Sequence, residues 1–298
     1  MKQTYILTSL LCLTTLLMPG CTSPIGSGDD PSSSTLAINF GTPQADTRAA
    51  VSSSTDMGDF SVWGGYDGNA SNVFNQVTVH SPGWTYDGGT RYWISGKTYN
   101  FYAVHPAGLN NVSVDNSGTI TVNNFDCSKT GNEAVDLMTA TATGDGNNPQ
   151  PVAMVFGHLL AKVNIVSTVE GGNCTVTSAT FSGMATKGNY KSSAGWTDTT
   201  TGSFTNSESK VLNTTGIDLL GDLLLIPQTV TDEFKIKVNY TLDGKEQTPK
   251  EITLPTSINH WNAGQSYKYT LTFKGNNIIF TVNVASWGHS TGGIITVE

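Results

Sequence analysis

Two side chains near the amino terminus stand where covalent processing can act. Cys21 closes a short apolar leader directly after the small residue Gly20, as a lipoprotein signal peptidase requires, and its thiol would take the lipid. Arg48 lies between small and polar flanks, Gln44-Ala-Asp-Thr47 and Ala49-Ala-Val-Ser52. The Arg48–Ala49 bond therefore suits an arginine-specific protease. Such an enzyme would find few other targets, because the chain has only two arginines, Arg48 and Arg91.

Other reactive patterns are missing from the sequence. There is no G-x-S-x-G elbow, no H-E-x-x-H pair and no G-x-x-x-x-G-K-[ST] loop. The five histidines, His80, His105, His158, His260 and His289, have no metal-ligand spacing. His158, at the edge of an apolar run, is expected to be a hydrogen-bonded structural residue. The seven glutamates offer no acid/base pair, although aspartates remain free to meet in space. Asp67-Gly-Asn69 and Asp145-Gly-Asn147 lack the further carboxylates of a calcium loop and read as turns. The expectation is a protein that is not an enzyme, with no metal and no cofactor. Trp63, Trp84 and Trp93, near Tyr66, Tyr86 and Tyr92, could stack on sugar rings, but β-sandwich cores use the same residues, and core is the preferred reading.

The elements that carry these residues begin with the leader, residues 1–21. Lys2 supplies its positive end, and its apolar run, 6–18, is shorter than the about 20 residues of a membrane span. An ordinary secretory signal cut nearby is the alternative to lipidation. Residues 22–33, rich in Ser, Gly and Pro, read as a flexible tether. Next comes STLAINFG at 34–41, in which Leu36, Ile38 and Phe40 are spaced by two and so share one strand face. Residues 22–48 are thus tether plus a strand-sized pro-segment with the cut site directly behind it. The formal charge is −8 and only 13% of residues are charged. No basic patch exists, so nucleic acid is excluded as an expected partner.

Strand patterns fill the rest. Phe234, Ile236, Val238, Tyr240 and Leu242 alternate with polar residues, and Asp243-Gly244 follows as a two-residue hairpin turn. Asp115-Asn-Ser-Gly118 should join 112–114 to 119–122, and Glu170-Gly-Gly-Asn173 should join 163–166 to 174–177 as hairpins. The apolar run 223–226 reads as a strand covered on both faces. A nine-residue pattern, W-x-x-G-[KQ]-[TS]-Y-x-[FY], occurs at 93–101 and again at 261–269. It suggests two related β-sandwich domains, 49–152 and 153–298, divided at the breaker cluster 143–151. Export would permit a Cys127–Cys174 disulfide, but two unpaired thiols in separate sheets are preferred, because the pair straddles that boundary.

Several stretches together resemble the fimbrillin family, the subunits of type V pili. They are the lipobox at Cys21, DFSVWGGY at 59–66, YNFYAVHP at 99–106, DLM at 136–138, FGHLLAKV at 156–163, LIPQ at 225–228, and WNAGQSY at 261–267 running on to VASW at 284–287. The resemblance implies an all-β protein of two tandem sandwich domains of transthyretin-like, Greek-key type. It also implies export as a lipoprotein to the outer membrane, surface-exposed there and carried into the fimbrium after processing. In that family a protease removes the first strand, and a strand from another subunit fills the groove. Carried over, Cys21 takes the lipid and Arg48–Ala49 is the scissile bond. Leu36, Ile38 and Phe40 are the core-facing side chains of the removable strand. The tail, with Ile294, Ile295 and Val297, is a candidate donor strand, or else completes this subunit's own sheet. The implied partners are other pilus subunits, the protease, the outer membrane and an adhesion ligand on a host or bacterial surface. The alternative function is a monomeric, surface-anchored lipoprotein that binds glycans or a host.

Overall fold

The computed structural model describes residues 36–42, 44–45, 57–275, 277–286 and 294–297. Cys21, Arg48 and Ala49 lie outside the described residues, and so do the side chains of Ile294, Ile295 and Val297. The protein is all-β, and among the described residues the sole helical element is the 3-10 turn Gly131–Glu133. The composition accounts for this. Runs of Val, Ile, Thr and aromatic residues favour pleated backbone, and Gly, Asn and Asp gather in the turns between them.

A seven-stranded sheet occupies the first half of the chain. Its order is Gln44–Ala45, Val155–His158, Met138–Asp145, Thr98–His105, Phe60–Tyr66, Phe74–His80 and Thr85–Tyr86. Thr98–His105 is central and pairs antiparallel on both sides. Its alternate residues Tyr99, Phe101 and Ala103 are fully buried, as a period of two requires. They meet Phe60, Val62, Phe74, Met138 and Phe156 in one hydrophobic core.

Two further sheets enclose a second, larger core. In one, Ala161–Val169 runs parallel to Gln265–Lys274, which turns back into Asn277–Ser286. The fully buried Leu223–Leu225 pairs with Ala161–Val169, in keeping with the both-faces-covered reading. The other sheet is built on the 18-residue strand Cys174–Lys191, which pairs with Lys235–Leu242, Gly195–Asn206 and Ile120–Asp126. Ile120–Asp126 precedes the division expected at 152/153, so this ladder runs across it. The second core does the same, joining Val122, Phe125 and Leu137 to Phe181, Tyr269 and Phe273. An ion pair of 2.8 Å between Asp126 and Lys187 fastens the crossing.

Turn chemistry explains where hairpins form. Asp243 and Gly244 have φ of 46° and 77°, the pair of positive values a tight hairpin needs, and Leu242 faces Lys245 across it. Val114 faces Ile120 across the turn at 115–119, where Asp115 Oδ1 accepts the N–H groups of Ser117 and Thr119. The hairpin expected at 170–173 does not form. Ala161–Val169 already has partners on both sides, so Cys174 can find no edge there. The chain crosses instead to the other sheet, and Glu170 N–H bonds Phe273 O.

Cys127 and Cys174 are free and buried. They lie against one strand rather than in separate sheets: Cys174 begins Cys174–Lys191, and Cys127, just after Ile120–Asp126, donates its N–H to Thr186 O of that strand at 2.8 Å. Twelve residues of this bulged strand, a span of at most about 40 Å, separate Cys174 from Thr186, and the two thiols form no disulfide. Burial pushes the Cys127 thiol up to about 12 and that of Cys174 up to about 11.

The nine-residue repeat forms one device twice. Gly96 and Gly264 make the turn at φ of 81° and 69°. The hydroxyl of Tyr99 accepts the N–H of Ile94 at 2.9 Å, and that of Tyr267 accepts the N–H of Asn262 at 2.8 Å. Tryptophan, glycine turn and tyrosine are thus locked at the head of each strand. The strands that follow have different partners, antiparallel only for Thr98–His105 and partly parallel for Gln265–Lys274.

Candidate functional site

The described part of the expected pro-segment, residues 36–42, lies over the buried face of the seven-stranded sheet. Ile38 is fully buried, Phe40 is 6% exposed and Leu36 is half-buried, while Asn39 points to solvent. Phe40 sits in an aromatic cage, with ring centroids of Phe74, Tyr86, Phe60 and Phe101 at 5.5, 5.9, 6.0 and 6.1 Å in edge-to-face geometry.

Its backbone is held along both edges. On one side Ile38 N–H bonds Arg91 O and Trp93 N–H bonds Leu36 O, each at 2.8 Å. On the other, Val152 N–H bonds Asn39 O at 2.7 Å and Gly41 N–H bonds Val152 O at 3.0 Å. Gln44–Ala45 then continues parallel to Val155–His158. The Tyr86 hydroxyl adds a bond to Ile38 O at 2.9 Å. The segment is therefore an interior strand in everything but length. Its partners come from positions about 50 and about 110 residues downstream, a closure no local pattern reveals.

Arg91 forms part of the same wall. Its Nε donates to Val73 O at 2.7 Å, and its Nη1 donates to Asp87 O and Gly89 O, both at 3.0 Å. The guanidinium lies over Phe74 and Tyr86, 4.6 and 5.3 Å from their centroids. The lone second arginine was visible in the sequence; its clasp around the strand was not.

The remaining chemical candidates disperse. His158 Nδ1 pairs with Asp136 Oδ1 at 2.9 Å, as a hydrogen-bonded structural histidine. Burial lowers the pKa of nearby His105. His80 sits on the surface between Asp59 and Asp87, at 2.8 and 3.1 Å. Among the described residues no three His, Cys, Asp or Glu side chains converge as metal ligands. Asp67 and Gly68 both have positive φ, and Asp145 Oδ1 accepts the Asn147 N–H, so both loops are turns. Trp63 and Trp93 are core residues, 3% and 5% exposed, and Trp84 packs against Phe60. A sugar platform from these tryptophans is not formed. The tail strand Ile294–Val297 pairs antiparallel with Asn277–Ser286. No described helix is long and apolar enough to cross a membrane.

Fold and site together define an all-β protein whose first core is closed by an early strand set between two non-local partners. Residues 47–287 match the fimbrillin-like family, and the chain belongs to that family. Solved structures share the fold. A fimbrial protein from Bacteroides vulgatus is 21% identical, with a TM-score of 0.60 over 85% of this chain and 99% of that one. A candidate cell-adhesion protein from Bacteroides uniformis is 21% identical, with a TM-score of 0.56 over 85% and 98%. No curated protein matches in sequence.

Proposed function

We propose that this chain is a structural subunit of a cell-surface pilus, exported as a lipoprotein acylated at Cys21 and assembled by strand exchange. An arginine-specific protease cuts Arg48–Ala49, the strand bearing Leu36, Ile38 and Phe40 leaves, and a strand from another subunit takes its place. The body then comprises an N-terminal unit at 49–152 and a C-terminal unit at 153–298, which share the ladder between Ile120–Asp126 and Cys174–Lys191. The surface site is the outer membrane before processing and the fimbrium after it, in support of adhesion.

One observation carries this reading: residues 36–42 are paired along both edges and fill the centre of a core. Burial of Ile38 and Phe40 contributes about 3–6 kcal/mol together, as an upper estimate. A domain is stable by only about 5–15 kcal/mol. A chain without this strand needs a substitute, and an extended peptide with apolar residues two apart supplies both the backbone bonds and the side chains.

The tail is the proposed donor. Its pairing with Asn277–Ser286 favours a second arrangement, in which the tail stays home and the subunit occupies a pilus end. The monomeric glycan-binding alternative loses its best platform with the burial of Trp63 and Trp93. The test is the amino-terminal residue of the protein recovered from cells. Ala49 in sheared surface material supports processing and assembly. Acyl-Cys21 throughout, with no polymer, overturns it in favour of an anchored monomer.

A further inference from the structure

We infer that Arg91–Tyr92 is a second, latent cleavage site for an arginine-specific protease, closed while a strand occupies the 36–42 groove and open when the groove is empty. A protease needs an extended backbone with free N–H and C=O groups, and an arginine side chain free to enter its pocket. At Arg91 each of these is engaged, and the backbone part of that engagement runs through the strand, while the side chain donates to Val73 O, Asp87 O and Gly89 O. Arg91 O accepts the Ile38 N–H. The Arg91 N–H donates to the Tyr86 hydroxyl at 3.1 Å, and that hydroxyl donates in turn to Ile38 O. The guanidinium is cradled by Phe74 and Tyr86, the two rings closest to Phe40 in its cage.

Little backbone pairing beyond the strand holds this stretch, which is otherwise anchored by the Arg91 side chain, by buried Trp93 and by the Tyr99 hydroxyl on Tyr92 O at 3.4 Å. Among the described residues, the backbone–backbone bonds of 88–93 are those to Leu36 and Ile38. Its sole ladder contact is the isolated bridge between Ala37 and Tyr92. Gly88 and Gly89, at φ of 85° and 83°, give it a ready hinge. Tyr92 and Ile94 are already 51% and 46% exposed, so a protease need not enter the core to reach the bond. Loss of the strand unpairs Arg91 O and Trp93 N–H, deprives Tyr86 of its acceptor and removes Phe40 from behind the cradle. Local opening of this kind sets the rate of proteolysis in a folded protein. Hydrolysis then adds water across the Arg91–Tyr92 peptide bond, leaving a carboxylate on Arg91 and an amine on Tyr92.

The consequence rests on the strand-exchange reading given above. A subunit that loses its own strand and receives another, of any sequence that supplies backbone and an apolar side chain, keeps Arg91 closed. A subunit left empty is cut a second time, between the edge strand Thr85–Tyr86 and the central strand Thr98–His105, and cannot enter a polymer. The protease that starts assembly would also remove its failures.

The test uses the full chain and an arginine-specific endoprotease, with fragments identified by mass spectrometry. Arg48→Lys leaves Arg91 as the only target. In that background Ile38→Asn should speed cleavage at Arg91 at least tenfold, and an excess of a peptide spanning residues 34–46 should restore the slow rate. Cleavage at Lys187 and Lys235 by a lysine-specific protease reports on the rest of the fold and should not change. If those sites accelerate equally, Phe40→Leu, which keeps an apolar side chain, makes the same comparison. Arg91 cleavage that is no faster in either variant, or that the peptide does not slow, overturns the inference. The two readings can fail separately. An uncut Arg48 in the unaltered chain, with Arg91 opened by Ile38→Asn, defeats the pro-segment and leaves the latent site standing. Rapid cutting at Arg48, with Arg91 resistant after the released strand is displaced, does the reverse.

Discussion

Ile38 and Phe40 carry the largest single-residue effects at the site. Ile38 is fully buried in the first core and Phe40 is caged by four rings, so Ile38→Ala should cost about 2–5 kcal/mol and Phe40→Ala about 3–5 kcal/mol of the uncut chain's stability. Urea unfolding should show both losses, whereas Asn39→Ala, at an exposed position, should change little. His80 offers a pH test. Its hydrogen bond to Asp59, then that to Asp87, raises its pKa above 6.5. Asp59 is held below 3.8, chiefly by the Ser81 N–H and then by His80. A raised histidine stabilises fully below its ordinary value and loses that contribution as pH rises through the raised one. A lowered carboxylate does the opposite on the acid side. The corner tying Asp59 to the Phe74–His80 strand should therefore be firmest between about pH 4 and 6.5 and weaken above. The melting temperature of the unaltered chain should fall slightly more than that of His80→Gln between about pH 6 and 8, and salt should shrink the difference because the groups are exposed. The spacing of Leu36, Ile38 and Phe40 was legible because a strand's period is local. The Arg91 clasp was not, since its partners Val73, Tyr86 and Ile38 come from three separate stretches.

At the scale of elements, turns were legible wherever their residues dictate backbone angles. Asp243-Gly244 and the 115–118 turn needed only their own sequence. The 170–173 segment has the same glycines, but pairing depends on whether the preceding strand has an open edge, and Ala161–Val169 has none. Likewise no pattern within Ile120–Asp126 says that it will pair with Cys174–Lys191, because alternation marks a face and not a neighbour. The tail strand Ile294–Val297 pairs at the edge of its sheet, its outer backbone groups facing no other described strand. Deleting residues 292–298 should leave the first core unaffected and expose the Asn277–Ser286 edge. If the tail is the donor, the deleted protein trimmed at Arg48 should form no polymer on its own, yet should accept the tail of an intact subunit. Mixing the deleted and unaltered proteins and resolving them on detergent gels separates the cases. Polymers of the deleted protein alone would assign donor duty to another segment.

For the whole molecule, the question is whether one chain holds two states. Uncut, the early strand is covalently attached, so its effective concentration is high and no separate strand can compete. Cut after Arg48, the same strand is held by its bonds to Tyr86, Arg91, Trp93 and Val152, by the pairing of Gln44–Ala45 with Val155–His158 and by the burial of two side chains, with no covalent link to the body. Departure then exposes an apolar groove with unpaired backbone on both sides, a surface that a second chain can cover by strand addition. Sequence order explains why this design is readable at all. Among the described strands the one that closes the first core comes first in the chain, so a single cut behind it, at Arg48, can release it. Controlled trimming at Arg48, followed by displacement of the freed segment, should therefore yield ladders that survive mild detergent at room temperature. In dilute solution it should at least give a monomer that binds a peptide of residues 34–46. Raising an excess of that peptide before trimming should suppress the ladders in proportion to its occupancy of the groove. A trimmed protein that stays monomeric, keeps its urea midpoint and ignores the peptide would mean that the core closes without the strand, and assembly by exchange would have no driving force.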